Sequence, residues 1–253
     1  MGVFVSIVLA VTYFTEGNLY DENFSSNDID KAAIIDQLHN DIPNLHFQNK
    51  TQILLEDAGY QVDIFTTEDI TVDFYKKLPT MNYKFIVFRT HSIAFGTIEN
   101  SASLLTGEKY NVESHLREQL LKQVGKAVPF LPDYVDKVGW SSITNQTYFT
   151  IGAKAVNEIM EGDFEKSIII LGGCDTLSGH NLADSFLKRG ASVVIGWDGL
   201  IGSSDNDRSL LQLLENILSN GEDINNAVES INENFVSRTQ YSPTLKYISN
   251  NDI

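Results

Sequence analysis

The sequence predicts an α/β protein, a three-layer α/β/α sandwich around a mostly parallel sheet. Three observations lead there. Short runs that are apolar on both faces alternate along the chain with segments of helical spacing, the pattern of a parallel sheet covered by helices on both sides. Glycine or proline stops many of the segments, as at Gly59, Pro79 and Gly190. Polar clusters follow directly on the apolar runs, where open α/β sheets carry their chemistry. The 253 residues are 42% hydrophobic and 21% charged, a globular composition rather than a disordered one.

The elements follow in order. Residues 3–14 form an uncharged, mostly apolar stretch, shorter than a secure membrane span and without the basic flank of a secretory signal. The polar, acidic, Asn- and Ser-rich residues 16–30 read as a linker. A hydrophobic tip on a polar tether predicts export or membrane anchoring, and so an extracytoplasmic location. A cleaved signal and a buried first strand stay open. The main domain then spans 31–253.

Ala32–Leu38 suits a buried strand. Phe47–Ala58 has helical spacing through Phe47, Ile53, Leu54 and Ala58, with Gly59 after it. Tyr60–Thr66 alternates as a strand, Thr71–Leu78 is a short helix stopped by Pro79, and Tyr83–Arg89 is an apolar strand. Residues 96–148 read as a less regular insertion at the sheet's C-terminal rim, with a helix over Val112–Val124. Beyond it come a helix at Ala153–Met160, a strand at Ser167–Leu171, a helix at Asn181–Lys188 and a strand at Ala191–Gly196. Helices at Asp205–Leu218 and Ile224–Phe235 and a last strand at Leu245–Ser249 complete the pattern.

The 34 acidic and 18 basic side chains give a net charge of -16, which argues against a nucleic-acid partner and against adhesion to anionic lipid. An acidic surface favours cationic partners and solubility. The one cysteine, Cys174, excludes an internal disulfide, C-x-x-C motifs and zinc knuckles. No histidine pair has metal-ligand spacing, and neither H-E-x-x-H nor a dinucleotide fingerprint is present, so no metal or cofactor is expected.

Three polar clusters end the apolar runs: Arg89-Thr90-His91-Ser92, Gly172-Gly173-Cys174-Asp175 and Trp197-Asp198. If the first two strands are neighbours, an imidazole and a thiol face one cleft. A thiol needs a base to become a nucleophile, and a histidine supplies that base and later protonates the leaving amine. Glycines before the cysteine let a backbone amide turn toward a developing oxyanion. For either residue alone the simpler account is structural, with Cys174 a small buried hydrophobe and His91 a strand-end residue.

An apolar strand ending in His91 and a later one ending in Gly173-Cys174 resemble the caspase-like cysteine peptidases. Ile168–Gly179, then Leu182–Ala191 and Val193–Trp197, look most like the gingipain and bacterial caspase-like branch, where a helix and a small-residue strand follow the cysteine strand. The resemblance covers about 31–240. It implies a caspase-like sheet and a His/Cys dyad hydrolysing peptide bonds, with Cys174 the nucleophile and His91 the general acid/base. Amides near Ser92 and Gly173 would hold the oxyanion, and Asp175, Trp197 and Asp198 would contact a peptide or protein substrate. Ser92 stands where the family usually has Gly. Gly172 stands where several members carry an acid that reads a basic P1 side chain, so Asp175 or Asp198 would have to supply that charge. These departures keep a degenerate caspase-like binding or scaffold domain open, and a flavodoxin-like small-molecule-binding domain is a third reading. Oligomeric state stays open.

Overall fold

The computed structural model describes residues 29–94, 102–127 and 146–250. The apolar segment 3–14 and much of the insertion lie outside the described residues. Among the described residues no helix is long and apolar enough to cross a membrane.

Six strands make the main sheet: β1 (Lys31–Asp36), β2 (Gln61–Thr66), β3 (Tyr83–Arg89), β8 (Ile168–Gly172), β9 (Val193–Trp197) and β10 (Leu245–Ser249). Their order across the sheet is β2-β1-β3-β8-β9-β10. All neighbouring pairs are parallel except β9 with β10. The interior strands are Ile- and Val-rich because both their faces are covered. Ile34, Val87, Ile170 and Ile195 belong to one core with α1 (Leu45–Asp57), α6 (Ser203–Leu214) and α7 (Ile224–Asn234). Ile35, Phe88, Leu171 and Val194 belong to another with α2 (Val72–Lys77), α4 (Ala153–Glu158) and α5 (Asn181–Lys188). Each fully buried side chain of this kind contributes roughly 1.5–3 kcal/mol.

Local signals set the helix ends. Asn44 and Thr71 cap α1 and α2 by accepting from the amides three residues on. Gly59 and Gly190, at φ +94° and +91°, take the left-handed turns after α1 and α5. The buried face of α1 is Phe47, Thr51 and Leu55, while Ile53, expected inside, is exposed.

The middle of the chain departs from the expectation of irregularity. A four-stranded antiparallel sheet forms there, in the order β4-β5-β7-β6. Its strands are β4 (Ser92–Ala94), β5 (Ala102–Lys109), β6 (Gly125–Ala127) and β7 (Tyr148–Gly152). Leu104, Phe149 and Ile151 bury this sheet against the core that holds α2, α4 and α5. The helix expected over Val112–Val124 is only α3 (Leu116–Leu120), because His115 and Lys122 take left-handed conformations at its two ends.

Candidate active site

β3 and β8 are adjacent and parallel, with Arg89 in register with Gly172. The two polar clusters therefore leave neighbouring central strands at the same rim. The Thr90 amide donates to the Gly172 carbonyl at 3.0 Å, continuing the ladder past the strand ends. One step further, the Ser92 hydroxyl donates to the Cys174 carbonyl. A Cβ at Gly173 would come within 2.6 Å of the Thr90 carbonyl oxygen and 2.8 Å of Ser92 Oγ, so only glycine allows this approach.

His91 is almost fully buried, with 7% of its surface exposed. Its backbone is held on both sides. The amide donates to Gln37 Oε1 at 2.9 Å, and the carbonyl accepts from the Leu105 amide at 3.0 Å and the Thr90 hydroxyl at 2.8 Å. Burial, and after it the Arg89 charge, push the imidazole down from 6.5 to about 4. Burial pushes the Cys174 thiol up, with the Asp175 charge adding to it and backbone at Ile201 pulling the other way. The thiol donates to the Ile201 carbonyl at 3.4 Å, on the side of the sheet that packs Trp197 and α6. Imidazole and thiol are thus both neutral at pH 7.

Arg89 lies beneath this rim with no exposed surface. Its guanidinium grips Asp207 of α6 through two bonds of 2.8 and 2.9 Å, Asp36 of β1 at 2.9 Å and the Ile42 carbonyl at 2.7 Å. Its cationic carbon sits 5.7 Å from the Phe47 ring centre. Asn44 donates to Asp207 at 2.7 Å. This buried cluster ties β1, β3, α1 and α6 together under His91. Sequence reasoning saw Arg89 only as one member of a polar run and gave Asp36 and Asp207 no role. Tertiary pairing of residues 53 and 118 positions apart leaves no local signal.

The other expected site residues fare unevenly. The Gly173 amide is taken by the Leu171 carbonyl at 3.0 Å, so it is not an oxyanion donor here. Ser92 pairs with Leu104 of β5 while the Leu105 amide bonds the His91 carbonyl. That makes Ser92 and Leu104 a non-hydrogen-bonded pair, whose amide and carbonyl groups point away from the partner strand. The Ser92 amide therefore faces away from β5.

Trp197 ends β9 fully buried, its indole N–H on Asn206 Oδ1 at 3.0 Å and its ring against Phe235, so it belongs to the core and not to a substrate surface. Asp198 accepts from the Thr244 amide at 2.7 Å and pairs with Lys246 at 2.8 Å, closing the turn into β10.

Asp175 is half-buried, with its carboxyl raised by burial and by the Asp198 charge. It takes a left-handed conformation at φ +56°, and its amide donates to the Gly199 carbonyl at 2.9 Å. At Gly172 even a Cβ would meet Leu210 Cδ1 at 2.5 Å and the Phe88 carbonyl at 2.6 Å. No acidic side chain fits at that position. A cavity of ≈ 660 Å³ lined by Gln119, Lys122, Thr150, Lys154, Asn157 and Lys188 lies apart from these loops, and neither His91 nor Cys174 lines it.

No protein-family model matches this chain, and a search of curated proteins finds no match to it.

Proposed function

We propose that the chain is a caspase-like cysteine peptidase with the three-layer sandwich of that family, Cys174 its nucleophile and His91 its general acid/base. The observation that carries the reading is the exit of the His91 and Cys174 loops from adjacent parallel strands at one rim, joined by the bond from Ser92 to Cys174. The order β8, Cys174, α5, β9 agrees with the family pattern seen in the sequence.

The chemistry runs from a neutral pair. A neutral imidazole is a base at pH 7 and needs no prior deprotonation. His91 takes the thiol proton as Cys174 sulfur attacks the scissile carbonyl carbon. The C–S bond forms and the carbonyl π pair moves onto oxygen, an oxyanion to which the Ser92 amide donates in this reading. The imidazolium gives its proton to the leaving amine as the C–N bond breaks. Water then attacks the thioester with His91 again as base, the C–S bond breaks, and the thiol regains its proton as the acid product leaves. Asp175 is the remaining carboxylate for a basic P1 side chain, since Asp198 is paired with Lys246.

A second reading is a degenerate, non-catalytic caspase-like domain. The burial of His91 and the raised thiol favour it. One experiment decides between them. A panel of peptides varied at P1 is incubated with the parent, Cys174→Ala and His91→Ala. The peptidase reading expects cleavage by the parent, lost in both variants. Equal cleavage by Cys174→Ala, or none by the parent on any peptide, overturns it.

A further inference from the structure

We propose that Gln37 is a positioning residue for His91, its side-chain carbonyl standing in for the main-chain partner that β1 stops providing. The proposal deepens the peptidase reading and rests on it for its catalytic consequence.

β1 and β3 pair in register as far as Asp36 and Arg89. The Gln37 amide makes one more ladder bond, to the Arg89 carbonyl at 2.9 Å. The main chain then turns away over residues 37–42. The next donor on the β3 side is the His91 amide, and it would lose its neighbour at this point. The Gln37 side chain folds back to fill the gap, with Oε1 accepting from His91 at 2.9 Å. Gln37 is itself 2% exposed, and its main-chain carbonyl accepts the Thr67 hydroxyl at 3.0 Å. A buried long polar side chain is unfavourable unless its hydrogen bonds are made. Here the side-chain oxygen accepts from His91, whose placement the proposed chemistry needs most, and more weakly from the Thr90 hydroxyl at 3.5 Å.

The consequence is geometric. With amide and carbonyl both held, the His91 backbone is pinned from two sides, and the imidazole is placed chiefly by its side-chain torsions. A misplacement of about 1 Å in a reacting group can cost about 100-fold in rate. Arg89 on β3 is the charge that acts on the imidazole, and Asp36 at the end of β1 and Asp207 on α6 hold that guanidinium in place.

The test compares Gln37→Leu, which keeps the size and removes the acceptor, with Gln37→Glu, which keeps an acceptor oxygen and adds negative charge. Three readouts are taken: hydrogen exchange of the His91 amide, the NMR titration of its imidazole, and turnover of the best peptide from the P1 panel. Gln37→Leu is expected to lose exchange protection at His91 and to drop kcat about 10- to 100-fold with KM within about two-fold. Gln37→Glu is expected to restore protection and most of kcat. It should also raise the imidazole titration and carry the acid limb of the pH–rate profile upward with it.

Full protection and parent kcat in Gln37→Leu overturn the proposal. If Gln37→Leu fails to fold, a folded Gln37→Glu with the parent's His91 titration overturns it. A parent that cleaves no peptide sinks the peptidase reading alone, because exchange and titration still report on the positioning.

Discussion

The Ser92 hydroxyl donates to the Cys174 carbonyl, so the residue after the proposed base holds the backbone of the proposed nucleophile. The family pattern has glycine at this position, and a glycine could not make this bond. What looked in the sequence like a mark of degeneracy is a strap between the two loops. Ser92→Ala should lower stability by about 0.5–1.5 kcal/mol, the usual net worth of such a bond. It should also loosen the Cys174 loop and raise the rate of thiol alkylation by iodoacetamide. Urea midpoints and alkylation rates at pH 8 read both. A variant equal to the parent in both measurements would show that the strap does nothing.

Arg89 makes a stronger prediction. Removing its guanidinium leaves Asp36 and Asp207 buried without their cation, and breaking a buried pair from one side costs about 3–5 kcal/mol. Arg89→Met should therefore be strongly destabilised in a denaturant titration. Adding Asp36→Asn and Asp207→Asn should recover a substantial part of the loss, because the unpaired charges go with them. Failure of the triple variant to recover anything would place the cost in packing against Phe47 rather than in charge.

His91 ties stability to pH. Its imidazole titrates near 6.5 when unfolded and at about 4 in the native protein. Between those values the unfolded chain binds a proton that the folded one refuses, so stability falls as pH drops through that window. The slope from this one group is at most about 1.4 kcal/mol per pH unit. Asp36 and Asp175, with raised carboxyls, act in the opposite sense and are common to parent and variant. His91→Asn should therefore flatten the difference between urea midpoints at pH 7 and pH 4.5. Parallel decline of the two proteins would rule His91 out as the group responsible.

The parts of this molecule legible in the sequence are those with strong local chemistry. Tyr83–Arg89, Asn181–Lys188 and Leu245–Ser249 form the elements expected, to the residue. In the sequence the shared rim of the His91 and Cys174 loops hangs on β3 and β8 being neighbours, and they are. The antiparallel sheet of β4 to β7 was not legible. Its central pair joins β5 to β7 across most of the insertion, and Gly107, close under the Thr67 carbonyl, interrupts the alternation of β5. Polarity hides Thr51 on the buried face of α1, and apolarity suggests an inward Ile53 that is in fact exposed. In the sequence β9 ends at Gly196, which makes Trp197 read as a loop residue. The strand runs one residue further, and that residue points its indole into the core at Asn206.

Asp175 lets the charge of the site be tested against the reactivity of its thiol. Its carboxylate adds to burial in raising the Cys174 thiol, and under the proposed peptidase reading it is the acid that meets a basic P1 side chain. Asp175→Asn keeps the shape, and asparagine accepts the left-handed backbone at φ +56° as readily as aspartate does. Two effects of opposite sign should follow. The thiol value falls, so a small neutral reagent such as iodoacetamide alkylates Cys174 faster at pH 8. Meanwhile cleavage after Arg or Lys falls about 10-fold relative to cleavage after an uncharged residue, as for loss of one partially exposed ion pair of roughly 1 kcal/mol or a little more. A merely structural Asp175 would also speed alkylation, by loosening the loop, but would lower cleavage after basic and uncharged residues alike. A fall confined to basic residues requires a carboxylate that meets the substrate.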